Sequence, residues 1–447
     1  MPSFIVRPCK SPLRGSVPAP SDRSITHRAL IIAALSNGPC ELRGFGYGSD
    51  NLGTLRALTA LGIRSEDDGR GTVRLRGVGL AGLKRPEGPI DCGHSSTALR
   101  LLVGLLAGQP FPSELVAAPA IAERDVAPII EPLRRRGATI DGRVSGERLL
   151  PPLSIAGVDP GAPLGAVEHV LDRANDHAKG ALLLSGLFAS GPTTVHEHVV
   201  ARDHTERLLS ALGVPLETLG PILRLYPPRG PLSIKHFVSD LPGDISAASF
   251  LLCAAQLVPE SRVSTRRTGL NPTRAAVLEV IRLFGGRMGI TPSGDSMGEP
   301  FGEIASQGSV LRATAIAGEL AQRALDEIPI VCALAARARG TTEISDVAEL
   351  REVAPDRIAA LTRLLGAFGV QAEEHQEGLS ILGRPDGPLK AARVSSGGDH
   401  RLAMTAAVLG LIADGETVIE DVECVAVSFP RFAGTLRALG ADVEVIA

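Results

Sequence analysis

Residues Arg401–Ile419 read RLAMTAAVLGLIADGETVI, and this stretch decides how the rest of the chain is interpreted. Its first part is an Ala- and Leu-rich run of helical length, and after the turn at Gly415 the residues alternate as they do in a β-strand. A helix that is apolar on all sides is typical of a buried position. The stretch therefore predicts a buried helix that leads through a tight turn into a strand.

The same unit recurs at intervals of roughly 70–80 residues. The apolar segments are Arg28–Leu35, Thr97–Gly108, Gly180–Ser190, Ala247–Val258, Ile328–Arg337 and Arg401–Ala413. Amphipathic helical segments lie between them and end in glycine, which suits a left-handed helix C-terminus. These segments are Leu55–Gly62, Ile129–Gly137, Glu206–Gly213, Val277–Gly285, Arg357–Gly369 and Phe432–Gly440. The pattern predicts an α/β protein of six repeats, three in each of two domains, with a division near Ser239–Gly243.

Bulk composition excludes several classes of function. The 447 residues are 44% hydrophobic and 21% charged, which is typical of a globular protein. A net charge of −3 and the absence of Trp argue against nucleic-acid binding. The apolar runs fall short of the roughly 18 residues that a membrane span needs, so no membrane association is expected. Six scattered cysteines without metal-binding spacing indicate free thiols, no metal site and a cytoplasmic location.

Polar residues gather just before the apolar helices. Some of them, such as Ser24, Thr97 and Asp244, are suitable helix N-caps. Capping does not account for Arg28 and Arg401, because the positive end of the helix dipole disfavours a cation there. Arginine side chains at several helix N-termini therefore indicate ligands for an anion.

An ordered series of motifs resembles the EPSP synthase family of enolpyruvyl transferases. The motifs are Pro20–Leu30 (PSDRSITHRAL), Gly93–Arg100 (GHSSTALR), Val200–Arg207 (VARDHTER), Leu241–Phe250 (LPGDISAASF), Asn271–Arg274 (NPTR), Asp326–Pro329 (DEIP), Glu349–Arg351 (ELR), Asp356–Ile358 (DRI) and Asp399–Met404 (DHRLAM). Single motifs of this kind are weak signals, whereas the series runs along nearly the whole chain.

The resemblance implies an inside-out α/β fold of six βαβαββ repeats. It places residues 1–15 and 240–447 in one domain, residues 16–239 in the other, and the active site in the cleft between them. The family transfers the enolpyruvyl group of phosphoenolpyruvate to the 5-hydroxyl of shikimate 3-phosphate without a metal or organic cofactor. We accordingly expect a monomer with small-molecule substrates, acting in the pathway to chorismate and the aromatic amino acids.

The phosphoenolpyruvate site that the resemblance implies is largely retained. Arg357 and Arg401 match residues that hold the substrate carboxylate, and Arg124 matches a phosphate ligand. Arg23 stands where the family has an active-site lysine, which keeps the charge but changes the shape of the side chain. Other phosphoenolpyruvate positions are Ser96 and His177.

The acceptor site is only partly retained. Ser24 and Arg28 match residues that bind the shikimate carboxylate, and Asp326 matches the carboxylate proposed as general base for the 5-hydroxyl. The remaining acceptor positions are Arg23, Asn175, Asp176 and Glu349. Catalytic work is assigned to Asp326, Arg23 and His177.

Several positions depart from the family pattern. In the acceptor site, Asn175 and Asp176 replace two phosphate-binding serines, His177 replaces a glutamine, and Ala201 replaces a third serine. Val353-Ala354 stand where the family has a lysine–glutamate pair, and Val427 stands where it has a lysine. In the loop before the second apolar helix, His94 and Ser96 replace an asparagine and a glycine. A carboxylate near the acceptor's phosphate is repulsive. Affinity for the phosphate is therefore expected to fall unless His94, His177 or Lys179 compensates.

Three functions follow as hypotheses. The first is the family reaction, with His94, His177 or Glu349 taking over acid–base or phosphate-binding work. The second is a dehydratase that removes water from an unphosphorylated shikimate-like ring, favoured by the altered phosphate pocket. The third is an inactive ligand-binding protein, which the retained charged residues argue against. The length of the resemblance favours the first.

Overall fold

Helices and short strands alternate along the described part of the computed structural model, residues 2–159, 161–228, 234–352 and 355–446. The α-helices are α1 (Arg23–Leu35), α2 (Ser49–Ala60), α3 (Ser96–Leu106), α4 (Pro119–Ala122), α5 (Ala127–Arg135), α6 (Asp176–Gly186), α7 (His204–Ala211), α8 (Ile245–Leu257), α9 (Ala276–Leu283), α10 (Gly318–Arg323), α11 (Ile328–Arg337), α12 (Arg357–Ala367), α13 (His400–Gly410), α14 (Val425–Ser428) and α15 (Phe432–Ala438).

The strands are short and begin close to the helix ends. They are β1 (Ser3–Arg7), β2 (Arg14–Pro18), β3 (Ser36–Arg43), β4 (Arg64–Asp67), β5 (Thr72–Val78), β6 (Ile90–Asp91), β7 (Ser113–Val116), β8 (Ile140–Ser145), β9 (Arg148–Ile155), β10 (Val167–Leu171), β11 (Thr193–Glu197), β12 (Leu216–Leu219), β13 (Ile222–Leu225), β14 (Ile234–Lys235), β15 (Val238–Asp240), β16 (Arg262–Gly269), β17 (Arg287–Ser296), β18 (Glu299–Gln307), β19 (Ala315–Ile316), β20 (Thr341–Ile344), β21 (Gln371–His375), β22 (Gly378–Leu382), β23 (Arg393–Ser395), β24 (Thr417–Glu420) and β25 (Asp442–Ile446).

Every predicted apolar segment forms a buried helix, namely α1, α3, α6, α8, α11 and α13. In α8 all residues are buried, and in α11 every residue but the last is buried. Helices that are apolar on every side must be packed against other elements all around to remove their apolar surface from water. The predicted α/β class with buried apolar helices is confirmed.

The described strands form six sheets that share one order. In the sheet β6-β7-β9-β8, the first two strands are parallel and are joined through α3, whereas β9 pairs antiparallel with both β7 and β8. A parallel pair needs a crossover connection, and a buried helix supplies it in the four sheets whose parallel strands follow each other in the chain. The shared order confirms the predicted repeats.

Glycine ends each amphipathic helix, as the sequence predicts. The backbone φ angles are 89° at Gly62, 102° at Gly137, 83° at Gly213, 81° at Gly285, 74° at Gly369 and 101° at Gly440. Only glycine adopts such angles without steric cost, and it closes a helix before the next strand begins.

The chain forms two compact units. The N-terminal unit comprises Ser21–Pro242 with Asp295–Glu299, and the C-terminal unit comprises the residues up to Pro20, Gly243–Gly294 and the residues from Pro300 onward. Each unit encloses its own hydrophobic core. Among the described residues, no helix combines the length and apolar character that crossing a membrane requires.

Two segments from the start of the chain belong to the C-terminal unit. β1 lies between β24 and β25, and β2 pairs in parallel with β16 through Pro18. The unit therefore extends to Pro20, beyond the boundary at residue 15 that the resemblance implied, because all of β2 is hydrogen-bonded there. The place that β2 would fill in the first repeat is taken by β14 and β15, which pair with β3.

Candidate active site

Most predicted site residues of the N-terminal unit lie at or near helix N-termini, but Arg28 lies in the second turn of α1 and Arg124 lies between α4 and α5. The caps themselves are Asp22 for α1, Ser95 for α3 and Asn175 for α6, each accepting a backbone N–H of the first turn. Ser24 and Thr97 thus lie inside their helices and are not caps. The predicted acceptor ligand Asn175 uses its side-chain oxygen for capping, which leaves its amide N–H groups for a ligand.

Arg28 is the most enclosed of the predicted anion ligands, with 1% of its surface exposed. Its Nε donates to the Thr205 hydroxyl at 2.8 Å, and its two terminal nitrogens donate to the Ser24 carbonyl at 3.1 Å and to Asp176 Oδ2 at 2.9 Å. Because all three nitrogens are engaged, the guanidinium has a fixed orientation before any substrate arrives.

Asp176, His177 and Thr97 form a continuous polar chain between α6 and α3. Nδ1 of His177 lies 3.3 Å from Asp176 Oδ1, and its Nε2 lies 3.1 Å from the Thr97 hydroxyl. Burial lowers the pKa of His177 to about 4, because burial together with nearby arginines outweighs the opposing charge of Asp176. His177 is therefore neutral at pH 7, with its proton on Nδ1 and its Nε2 accepting from Thr97.

This lowered pKa predicts a loss of stability in acid. Unfolded His177 binds a proton below about pH 6.5, whereas folded His177 does so only near pH 4, so folding becomes less favourable as the pH falls between these values. Between pH 7 and pH 5 the free energy of unfolding should fall in both the wild-type chain and His177→Gln. The fall should be about 2 kcal/mol larger in the wild type, because only the wild type carries this histidine. Urea unfolding at both pH values measures the difference, and equal losses would contradict it.

Lys179 is committed to an internal network. The side chain is 1% exposed, and its Nζ lies 2.9 Å from Glu197 Oε1 and 2.6 Å from Glu206 Oε1. It also donates to the carbonyl of Ala201 at 3.1 Å. Burial opposes its charge, but Glu206 and Glu197 outweigh burial and raise the pKa of Lys179. Lys179 thus neutralises its own carboxylates and is not presented to a ligand.

Removing this ammonium should destabilise the fold strongly. Lys179→Met leaves Glu197 and Glu206 buried without their cation, which typically costs about 3–5 kcal/mol. Thermal and urea unfolding of the purified variant measure the loss, with Lys235→Met, at an exposed position, as the matched control. A loss no greater than that of the control would show that the network is not structurally important.

Arg23 and Asp50 join α1 to the first turn of α2. The Arg23 guanidinium donates to Asp50 Oδ2 at 3.2 Å. Burial raises the pKa of Asp50 although Arg23, His94 and Arg124 oppose it with positive charge. The same carboxyl is thus within electrostatic reach of the predicted phosphate ligands Arg23 and Arg124, which places these cations in one region.

Sequence reasoning missed Asp50 and Arg100 as members of this cluster. Arg100 follows the predicted loop in α3, and burial and Arg124 lower its pKa, although Asp176 opposes the change. Among the described residues, nothing accepts a hydrogen bond from Arg100 Nε, and Ser96 Oγ is likewise buried without a partner. The sequence did contain a signal for Arg100. It stands three or four residues after Ser96 and Thr97, and such residues lie on the same face of a helix.

In the C-terminal unit, Arg357 and Arg401 lie in the first turns of α12 and α13, and Asp399 accepts from the Arg357 side chain and from the Arg401 backbone. Asp399 Oδ2 accepts from Arg357 Nε at 2.6 Å, and Asp399 Oδ1 caps α13 by accepting from the Arg401 backbone at 2.8 Å. Burial raises the pKa of Asp399, but the two arginines outweigh burial and lower it. The guanidinium groups are only 14% and 12% exposed, so both are held in partly buried positions.

Asp326 lies directly against Arg401. Arg401 donates from one terminal nitrogen to Asp326 Oδ1 at 2.6 Å and from Nε to the Asp326 carbonyl at 3.0 Å. The proposed base and a proposed carboxylate ligand are therefore neighbours. Glu349 lies half-buried in the turn Ala348–Arg351, and Val353-Ala354, where the family lysine–glutamate pair is lost, lies outside the described residues.

A buried network next to Asp326 was also missed. Arg274 donates to Glu327 Oε1 at 2.8 Å, and Ser246 hydrogen-bonds to both side chains. Asp244, the N-cap of α8, lies 3.5 Å from Arg274. The network links the starts of α8 and α11 and anchors the residue that follows Asp326. The NPTR and DEIP motifs contain two of its members, which was the available signal.

Comparison with known proteins agrees with these features. The family model described as EPSP synthase (3-phosphoshikimate 1-carboxyvinyltransferase) matches residues 8–436. A 3-phosphoshikimate 1-carboxyvinyltransferase of Geobacter sp. (strain M21) is 41% identical over 98% of this chain and 99% of its own length. A 3-phosphoshikimate 1-carboxyvinyltransferase of Desulforamulus reducens is 40% identical over 97% of this chain and 98% of its own length.

Solved structures give the same result. EPSP synthase from Acinetobacter baumannii superposes with a TM-score of 0.90 at 32% identity and covers 100% of both chains. The enolpyruvyl transferase NikO from Streptomyces tendae has a TM-score of 0.75 at 17% identity over 99% and 98% of the two chains, which shows a shared fold alone. These findings favour the transferase hypothesis over the dehydratase and the inactive binding protein. The chain belongs to the EPSP synthase family, the 3-phosphoshikimate 1-carboxyvinyltransferases.

Proposed function

We propose that this chain transfers the enolpyruvyl group of phosphoenolpyruvate to the 5-hydroxyl of shikimate 3-phosphate. The observation that carries the proposal is that Arg357 and Arg401 lie in the first turns of two helices, where Asp399 holds the Arg357 guanidinium and Asp326 holds the Arg401 guanidinium. Two planar guanidinium groups fixed in this way suit a carboxylate such as that of phosphoenolpyruvate. Membership of the family over nearly the whole chain supports the same reaction.

Asp326 serves as the general base. Its carboxylate takes the proton of the acceptor's 5-hydroxyl as that oxygen bonds to C2 of phosphoenolpyruvate, while the methylene carbon gains a proton. Loss of phosphate and of one methyl proton then restores the double bond in the product. The ion pair with Arg401 holds the carboxylate in place before the substrates bind.

The N-terminal unit supplies the remaining contacts. Arg23 and Arg124 bind the phosphate of phosphoenolpyruvate, and Ser24 and Arg28 bind the acceptor carboxylate. His177 acts as a neutral imidazole, because a pKa of about 4 leaves it uncharged at pH 7. The other ligands assigned in this unit are Ser96 for phosphoenolpyruvate and Asn175 and Asp176 for the acceptor, and Glu349 of the C-terminal unit is also assigned to the acceptor.

Release of inorganic phosphate tests the proposal. Purified chain incubated with both substrates should release phosphate and form one equivalent of enolpyruvyl product, seen by ³¹P NMR. Omitting shikimate 3-phosphate should abolish the release, which excludes simple hydrolysis of phosphoenolpyruvate. Absence of release, together with dehydration of shikimate, would replace the proposal by the dehydratase.

We also propose that the chain acts in the cytoplasm as a monomer. Unpaired cysteines at Cys40, Cys92, Cys253 and Cys332 are buried, which fits a reducing compartment. Each unit has its own hydrophobic core, and this supports folding without a partner chain. Light scattering of the purified protein tests the oligomeric state.

A further inference from the structure

The start of α6 places a fixed negative charge among the cations of the N-terminal unit. Asp176 is paired with Arg28 at 2.9 Å and lies against His177 at 3.3 Å. Arg202 and His204 are close enough to act on the same carboxylate. Its side chain is only 13% exposed, so water does little to screen its charge.

The charge of Asp176 persists over the working pH range. Burial opposes ionisation, but at the low pH at which Asp176 would titrate, protonated His177 and the neighbouring arginines outweigh burial and hold its pKa below the usual range. Two of the three groups named as able to compensate, His177 and Lys179, do not cancel this charge. His177 is neutral at pH 7, and Lys179 is engaged with Glu197 and Glu206.

Arg28 binds Asp176 and, in the proposed function, also binds the acceptor carboxylate. Its Nε and one terminal nitrogen are used by Thr205 and the Ser24 carbonyl, and the remaining nitrogen donates to Asp176. An anion that binds the same terminal nitrogen must take the place of the Asp176 carboxylate or share the site with it. Competition of this kind weakens every anionic acceptor, and repulsion weakens most the acceptor with the largest negative charge.

We propose that Asp176 is a specificity-determining residue that limits the negative charge an acceptor can carry. The proposal rests on the proposed function, in which the acceptor is shikimate 3-phosphate. Shikimate carries one carboxylate, whereas its 3-phosphate adds a phosphate that is close to dianionic at pH 7.5. The charge of Asp176 therefore narrows the difference in affinity between the two compounds.

Asp176→Asn tests the proposal, because the amide oxygen can still accept from Arg28 while the charge is lost. Isothermal titration calorimetry at pH 7.5 gives Kd for shikimate and for shikimate 3-phosphate. We expect Kd for the 3-phosphate to fall by at least about tenfold and that for shikimate by no more than about threefold. Asp172→Asn, a carboxylate 84% exposed at the end of β10, is the matched control and should leave both constants unchanged.

A ratio of the two constants that stays within about twofold of wild type would overturn the proposal. Asp176→Ser provides the same reading if the asparagine variant does not fold. The binding ratio needs no turnover, so it is independent of the phosphate-release assay. Wild-type chain that releases no phosphate would refute the proposed function, whereas an unchanged ratio in an active enzyme would refute only the role of Asp176.

Discussion

Arg401→Ala should abolish measurable binding of phosphoenolpyruvate and lower kcat/KM for it by about a thousandfold. The expected size follows from two charge-assisted hydrogen bonds to the substrate carboxylate, each contributing about 1.5–3 kcal/mol. Arg401 is only 12% exposed and already oriented by Asp326, so little ordering is needed when the substrate binds. Equilibrium binding and steady-state kinetics at saturating shikimate 3-phosphate measure the two effects.

A matched control separates this effect from a general loss of positive charge. Arg393 pairs with Glu420 on the surface, with 72% of its side chain exposed, and Arg393→Ala should leave phosphoenolpyruvate binding unchanged. The thermal stability of both variants should be measured as well, because Arg401→Ala also removes the arginine that pairs with Asp326. Unchanged affinity in a folded Arg401→Ala variant would show that the carboxylate of phosphoenolpyruvate binds elsewhere.

Asp326→Asn should lower kcat by about a hundredfold to ten-thousandfold with little change in substrate affinity. The amide keeps the shape and can still accept from Arg401, but it cannot take the proton of the acceptor hydroxyl. Rapid-quench single turnover measures the chemical step, and calorimetry measures binding of each substrate. The split between kcat and affinity distinguishes a base from a residue that only positions the ligand.

Asp386→Asn is the control for this substitution, because Asp386 is an exposed carboxylate of the same unit. It should leave kcat and both affinities unchanged. If folded Asp326→Asn retains full kcat, the base lies elsewhere. Loss of acceptor binding with an unchanged chemical step would instead make Asp326 a binding residue.

The repeats could be predicted from the sequence because their signals are local. Periodic apolar residues and a terminal glycine determine each helix within a few residues, and Gly62 and Gly440 adopt the predicted left-handed conformation. The position of β2 was harder to predict from the sequence. Its pairing with β16 joins strands that are more than two hundred positions apart in the sequence, and only the completed sheet shows where the first crossover ends.

The site could be predicted in residue type but not in pairing. Arginine at the start of an apolar segment is a local anomaly, which is why Arg28 and Arg401 stand out in the sequence, although α1 begins at Arg23 and so places Arg28 in its second turn. Their partners Asp176 and Asp326 are set by how distant helices pack, and no sequence pattern encodes that. The neutral state of His177, one of the three groups named as able to compensate, has a related cause, since burial and arginines outweigh the neighbouring acid and lower its pKa.

The position of β1 has a consequence for how the protein is made. β1 is translated long before both strands that flank it, β24 and β25. The nascent chain therefore carries the unpaired edges of β1 until those strands have been made, and such edges favour incorrect strand pairing. We expect this sheet to form only after β24 and β25 have been translated, with chaperones shielding β1 until then.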